Sequence, residues 1–266
     1  MIADFVLRLV AGIALMWILM PRKDVADGFF RIQMLLMLGL SVLLVLSFQS
    51  AIDQRSPVFS PLSPAQAAAL SDRARLLQQL AFAAAAAAYP GHVFWKLGRR
   101  IAGSICIAVI ALTTLAALTI TAVADRQGTA MWLQLFADFT SAGVLGATLT
   151  GMLLGHWYLT TPSMSLRPLV WFCRILLAAA VLRGIASTCV WLLVSGQSLQ
   201  QLQWMWLLLR IGGAILAPAA ASVMSLVILR HRNTQSTTGV LFACLILVFM
   251  GEMSAALLQQ DIGIPL

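Results

Sequence analysis

The sequence is short of charge for its length. Of 266 residues only 10% are Asp, Glu, Lys or Arg, and 61% are hydrophobic, whereas a soluble domain is about a quarter charged and about half apolar. That balance excludes an ordinary water-soluble globule, because so much apolar surface has to be hidden in lipid. Acidic residues number nine, too few and too scattered to gather the carboxylates that hold magnesium in a transferase. No HExxH, GxSxG or GxxxxGK[ST] segment occurs, which disfavours the zinc-protease, serine-hydrolase and P-loop chemistries. The four cysteines, Cys106, Cys173, Cys189 and Cys244, all fall in apolar stretches and none forms a CxxC. A disulfide framework, zinc ribbon, iron–sulfur cluster or covalent haem therefore has no support, and the thiols read as small reduced core residues.

What the sequence does have is a series of apolar runs. A membrane span needs about 20 such residues. The candidates are Ile2–Met20, Phe29–Ala51, Leu77–Trp95, Ile101–Val123, Met131–Leu159, Leu169–Val194, Trp204–Leu229 and Thr238–Leu258. The expected fold is all-α, a polytopic transmembrane bundle of about eight spans forming one domain over residues 1–266. All eight tryptophans fall near the ends of these runs, as an interfacial aromatic belt requires. The first run carries Asp4 and Arg8, shows no small-residue cleavage pattern and ends at Pro21-Arg22-Lys23; it reads as a retained span rather than a cleaved signal.

Lys and Arg set the expected orientation. One side collects nine: Arg22, Lys23, Arg31, Lys96, Arg99, Arg100, Arg167, Arg230 and Arg232. The other collects four: Arg55, Arg73, Arg75 and Arg126. The richer side belongs in the cytoplasm, so both termini are expected on the non-cytoplasmic side of the cell membrane, the inner membrane in a bacterium. The net charge of +8 then reads as topology signal and headgroup contact, not as a nucleic-acid surface. In the longest loop, Ile52 to Arg75, Ser56-Pro57, Ser60-Pro61 and Ser63-Pro64 are turn and helix-start chemistry. Ser63 suits a cap and Pro64 a first helical position, so a short external helix is expected to lead into span three. Ala81–Ala88, interrupted only by Phe82, suits close helix packing.

The candidate functional residues are the charges inside the spans. Asp138 lies in span five, Arg174 and Arg183 in six, Arg210 in seven and Glu252 in eight. A charge at mid-bilayer costs about 2.5–3.5 kcal/mol on insertion scales, so such groups face partners or water. Asp138, Arg183, Arg210 and Glu252 are expected to form one buried polar cluster, either a salt-bridge network that fixes helix order or a ligand or proton site. Arg174 points away from Arg183, since nine residues turn a helix by about half a revolution, and it is free to snorkel. In spans one to four the charges reduce to an Asp4–Arg8 pair. Gly213, Ala217 and Ala221 lie near the Arg210 face, and Pro218 frees the carbonyl of Ala214. In span five Gly151 and Gly155 read as a packing face.

His92 and His156 lie at one membrane level, each after a glycine, Gly91 or Gly155, that would let a flat ring approach the backbone; two histidines on different helices suit a b-type haem or a metal, while each taken singly reads as an interfacial residue hydrogen-bonded to backbone or headgroups. Asp138 and His156 share a face of span five about 27 Å apart, with only Ala142, Leu145, Leu149 and Met152 between them. Thr160 to Pro168 forms a polar loop beside His156 and Arg174 that suits a quinone headgroup. Eight helices with buried Arg, Asp, Glu and His are similar in architecture, though not in motif, to quinol-oxidising membrane anchors of redox complexes.

Three functions follow. The first is a membrane subunit of a redox system, with His92, His156 and Arg174 as cofactor-binding residues for quinone or b-type haem. The second is a carrier or channel for a small solute or proton. The third is a scaffold subunit without chemistry. The expected partners are the lipid bilayer and other subunits of a membrane complex.

Overall fold

The computed structural model describes residues 2–53, 64–124, 128–161, 164–194 and 200–262, and among them it is helical with no strand. Helices are what a chain this apolar requires, because in hydrocarbon each backbone N–H and C=O must be satisfied within its own segment. The elements are α1 (Ile2–Leu19), a short turn of 3-10 helix (Arg22–Asp24), α2 (Asp27–Asp53), α3 (Pro64–Lys96), α4 (Arg100–Val123), α5 (Thr129–Thr160), α6 (Arg167–Val194), α7 (Gln201–Arg210), a π-helical segment (Ile211–Leu216), α8 (Ala217–Arg230) and α9 (Thr234–Ile262). Arg55, Arg126, the Ser-Pro steps from Ser56 to Ser63, and Pro162-Ser163 lie outside the described residues.

Among the described residues seven segments are long and apolar enough to cross a membrane: Ile2–Leu19, Asp27–Gln49, Arg100–Val123, Thr129–Thr160, Arg167–Leu192, Gln201–Arg230 and Thr234–Asp261. The expected third span, Leu77–Trp95, lies inside α3 and is not among them. Gln78, Gln79, Pro90, Gly91 and His92 dilute its apolar run. It nevertheless packs along α2 on one side and α4 on the other, and it turns Phe82 and Tyr89 outward. The lead-in helix and the span are one continuous helix of 33 residues, because the alanine-rich join is the best helix-forming sequence available.

The central helix is α5. It packs against α1, α4, α6 and α9, and 78% of its most apolar stretch is buried, against 61% for α1 and less for every other span. The outer faces carry large exposed apolar side chains such as Ile101, Leu112, Phe82, Leu192 and Leu208. In water such faces would drive association; against lipid they are the matching surface. The chain is a multi-pass membrane protein.

Candidate functional site

Two glycine crossings place the buried charges. At the first, α1 meets α5 backbone to backbone: a Cβ on Gly12 would stand 2.0 Å from the Ala142 carbonyl oxygen, and one on Gly146 would stand 2.1 Å from the Gly12 carbonyl carbon. Residues four apart share a helix face, so Arg8 rides one turn from Gly12, and Asp138 rides two turns from Gly146. The crossing brings them together, with Arg8 Nη2 2.6 Å from Asp138 Oδ1. Gln134 Nε2 donates to the same Oδ1 at 2.8 Å. Arg8 Nη2 donates to Gln259 Oε1 at 3.2 Å, and Gln259 Nε2 donates to Gln134 Oε1 at 3.2 Å. The four side chains close a ring between α1, α5 and α9.

This ring lines a cavity of about 300 Å³ that also takes in Asp4, Leu7, Leu118, Thr121, Ala256 and Gln260. The cavity opens at the end of the bundle where α1 begins and α9 ends. Gln259 and Gln134 can exchange donor and acceptor roles by turning their amides, and the Arg8–Asp138 pair supplies both charges. The arrangement can therefore accept a small ligand of either hydrogen-bonding polarity.

At the second crossing, a Cβ on Gly213 would stand 2.3 Å from the Leu247 carbonyl oxygen, and one on Gly251 2.5 Å from the Ala214 nitrogen. Pro218 shapes this stretch. It has no N–H to return to Ala214, and the helix widens so that the Ala217 N–H reaches Gly212 O, five residues back. Such π-helical turns recur at functional sites. The close approach seats Arg210 beside Glu252, which follows Gly251. Glu252 is 1% exposed and Arg183 0%, and they form a two-pronged pair: Nε to Oε1 at 2.8 Å and Nη2 to Oε2 at 3.0 Å. Ser141 Oγ donates to Oε2 at 2.5 Å, and Arg183 Nη1 donates to the Ala137 carbonyl at 3.0 Å. Arg210 Nη2 donates to Ser187 Oγ at 2.6 Å, whose own proton goes to Arg183 O at 2.8 Å.

The expected cluster of Asp138, Arg183, Arg210 and Glu252 is thus present as two adjoining groups rather than one. Asp138 pairs with Arg8 of the first span, and Glu252 with Arg183. The groups touch through Ala137, whose carbonyl faces Arg183 while the next residue, Asp138, faces Arg8. Arg8, read from the sequence as one of an Asp4–Arg8 pair, meets a buried carboxylate, Asp138, across the α1–α5 crossing. Sequence reading missed Gln134, Ser141, Ser187 and Gln259. The available signal was helical spacing: Gln134 is four residues before Asp138, Ser141 three after it, Ser187 four after Arg183 and Gln259 seven after Glu252.

The residues expected to bind a cofactor are placed differently. His92 Nδ1 is 2.9 Å from the Arg31 carbonyl oxygen, while His156 and Arg174 are exposed. Among the described residues no hydrogen bond, ion pair or ring contact joins the three. Residues of α2 lie between the histidine-bearing helices: Phe29 packs edge-on against Trp157 with centroids 6.2 Å apart, and Arg31 meets His92. The glycine before each histidine makes room for protein rather than for a flat ring. A Cβ on Gly91 would stand 2.9 Å from Met34 Sδ, and one on Gly155 2.9 Å from Thr238 Oγ1. Among the described residues no group of three or more His, Cys, Asp or Glu is placed to hold a metal. Compared with known proteins, the chain matches no family model, no curated protein and no solved structure.

Proposed function

We propose that the chain is an eight-crossing carrier or channel of the cell membrane, which takes a small polar solute or ion into the cavity at Arg8 and Asp138. The observation that carries this reading is the cavity itself. A bundle this apolar keeps a pocket of about 300 Å³ lined with an ion pair and three glutamines, and intramembrane charges facing such a space mark solute and ion pathways. The eighth crossing is α3, held between two helices that each qualify as spans. The excess of Lys and Arg at the opposite end supports a cavity mouth on the non-cytoplasmic side. Below the cavity the polar chain continues through Ala137 to Arg183, Glu252 and Ser141.

The reading is favoured over quinone or b-type haem because the polar groups that converge are Arg8, Asp138 and the glutamines, while His92 is engaged by backbone and His156 faces outward. Its test is flux. In proteoliposomes loaded with a pH dye, the purified protein is expected to pass protons or proton-coupled small solutes. Asp138→Asn removes a charge-assisted hydrogen bond worth about 1.5–3 kcal/mol, so flux should fall about tenfold or more. Gly39→Ala, on an open helix face, should leave flux unchanged. Equal flux in the wild type and Asp138→Asn would overturn the proposal.

A further inference from the structure

The second charge cluster has an excess of one positive charge. Arg183 and Arg210 are set against Glu252 alone, while Arg8 and Asp138 cancel each other. Glu252 gives both carboxylate oxygens to Arg183. Arg210 is 1% exposed and makes one side-chain hydrogen bond, from Nη2 to Ser187. Its Nε and Nη1 have no partner among the described residues. Within electrostatic reach of it lie two positive groups, Arg183 and Arg8, and one negative group, Glu252, which Arg183 already engages at both oxygens. An arginine cannot shed its proton to escape such a place, so a guanidinium with open donors and no carboxylate of its own is an unanswered demand for negative charge.

We propose that Arg210 holds a small monoanion inside the membrane, between α6, α7 and α9. A ligand of this class answers both deficits at once, since it accepts the open guanidinium donors and brings the buried cluster to neutrality. The donor set fixes the chemistry: a guanidinium favours a compact anion with hydrogen-bond-accepting atoms, a halide or a carboxylate, and offers nothing to a cation. A divalent anion would leave the cluster negative. The site shares α9 with the cavity of the preceding section, but neither Arg210 nor Ser187 lines that cavity, and it stands whether or not that cavity conducts.

The test uses the full-length protein in detergent, kept in sodium gluconate and titrated with sodium chloride or sodium formate at constant ionic strength. Unfolding temperature is followed by tryptophan fluorescence. A saturable rise in unfolding temperature is expected with at least one of the two anions, and which one responds separates halide from carboxylate. Arg210→Gln removes the charge that needs an answer; it is expected to abolish the rise while leaving the starting temperature equal or higher. Should Arg210→Gln fail to fold, Ser187→Ala keeps the guanidinium but frees Nη2, and the midpoint concentration is expected to move severalfold. No response of the wild type to either anion would mean the donors are met by water only, and would overturn the proposal. A response retained in Arg210→Gln, or a midpoint unmoved in Ser187→Ala, would overturn it as well.

Discussion

Glu252→Gln is expected to cost about 3–5 kcal/mol of stability, the range for stranding one member of a buried ion pair. The substitution preserves shape and volume and removes only charge. Arg183 then faces an amide in which only one atom accepts, so the paired contacts at 2.8 and 3.0 Å cannot both survive. Ser141 Oγ loses an anionic acceptor for its proton. The buried group of Arg183, Arg210 and Glu252 goes from one excess positive charge to two, in surroundings where Arg183 and Arg210 are within 1% of full burial. Water cannot screen that change as it would at a surface. Reversible unfolding in mixed micelles measures the loss. The double variant Arg183→Met with Glu252→Leu removes both charges and should recover much of it, since a buried pair replaced by apolar groups of similar size is often neutral. A Glu252→Gln protein within 1 kcal/mol of wild type, taking about 1 kcal/mol as the worth of an ordinary hydrogen bond, would show that the pair is solvated.

Hydropathy and helical period make most of this architecture legible in the sequence alone. The runs that become α1, α2, α4, α5, α6, α7–α8 and α9 are readable because each must hide its backbone from lipid within itself. Arg183, Arg210 and Glu252 stand out for a related reason, as charges where charge is expensive. What the sequence did not disclose is who meets whom. Arg8 has an acid four residues away, yet its buried partner is Asp138, 130 positions later, because α1 lies against α5. Hydropathy carries no information about which spans are neighbours, since every span is equally content against lipid. The partner information resides in small residues whose meaning is pairwise. Gly151 and Gly155 look like a packing motif, and Gly155 does press on Thr238, yet Gly151 has only ordinary contact with Phe172, while Gly12 and Gly146, which form no GxxxG, touch backbone to backbone. Likewise, a glycine before a histidine reads as space for a ring until Met34 and Thr238 are seen to fill it. The continuity of α3 was hidden for a different reason: the helix does begin at Pro64, but alanine gives no internal stop at the membrane boundary.

The same crossing makes Gly146→Ala damaging out of proportion to its size. An added methyl would sit 2.1 Å from the Gly12 carbonyl carbon, well inside van der Waals contact, and both partners are main chain. No rotamer change relieves it, so α1 and α5 must separate or slide. Overpacking at a site free to adjust costs about 1–3 kcal/mol; here the adjustment also draws Arg8 off Asp138, a pair only 2.6 Å apart, and opens the ring of Gln134 and Gln259. The total is expected at about 5 kcal/mol, from the upper end of the overpacking range plus a lost charge-assisted hydrogen bond. Gly39→Ala is the matched control, with nothing within 4 Å of the new methyl, and should be neutral or slightly stabilising through helix propensity. Comparing the two by unfolding in mixed micelles isolates the contact from the generic effect of replacing glycine in a helix. If both variants unfold alike, the α1–α5 contact is not the joint that seats Arg8 on Asp138. If only Gly146→Ala fails, adding Arg8→Gln and Asp138→Asn to it should cost little more, since the pair they remove has already been pulled apart.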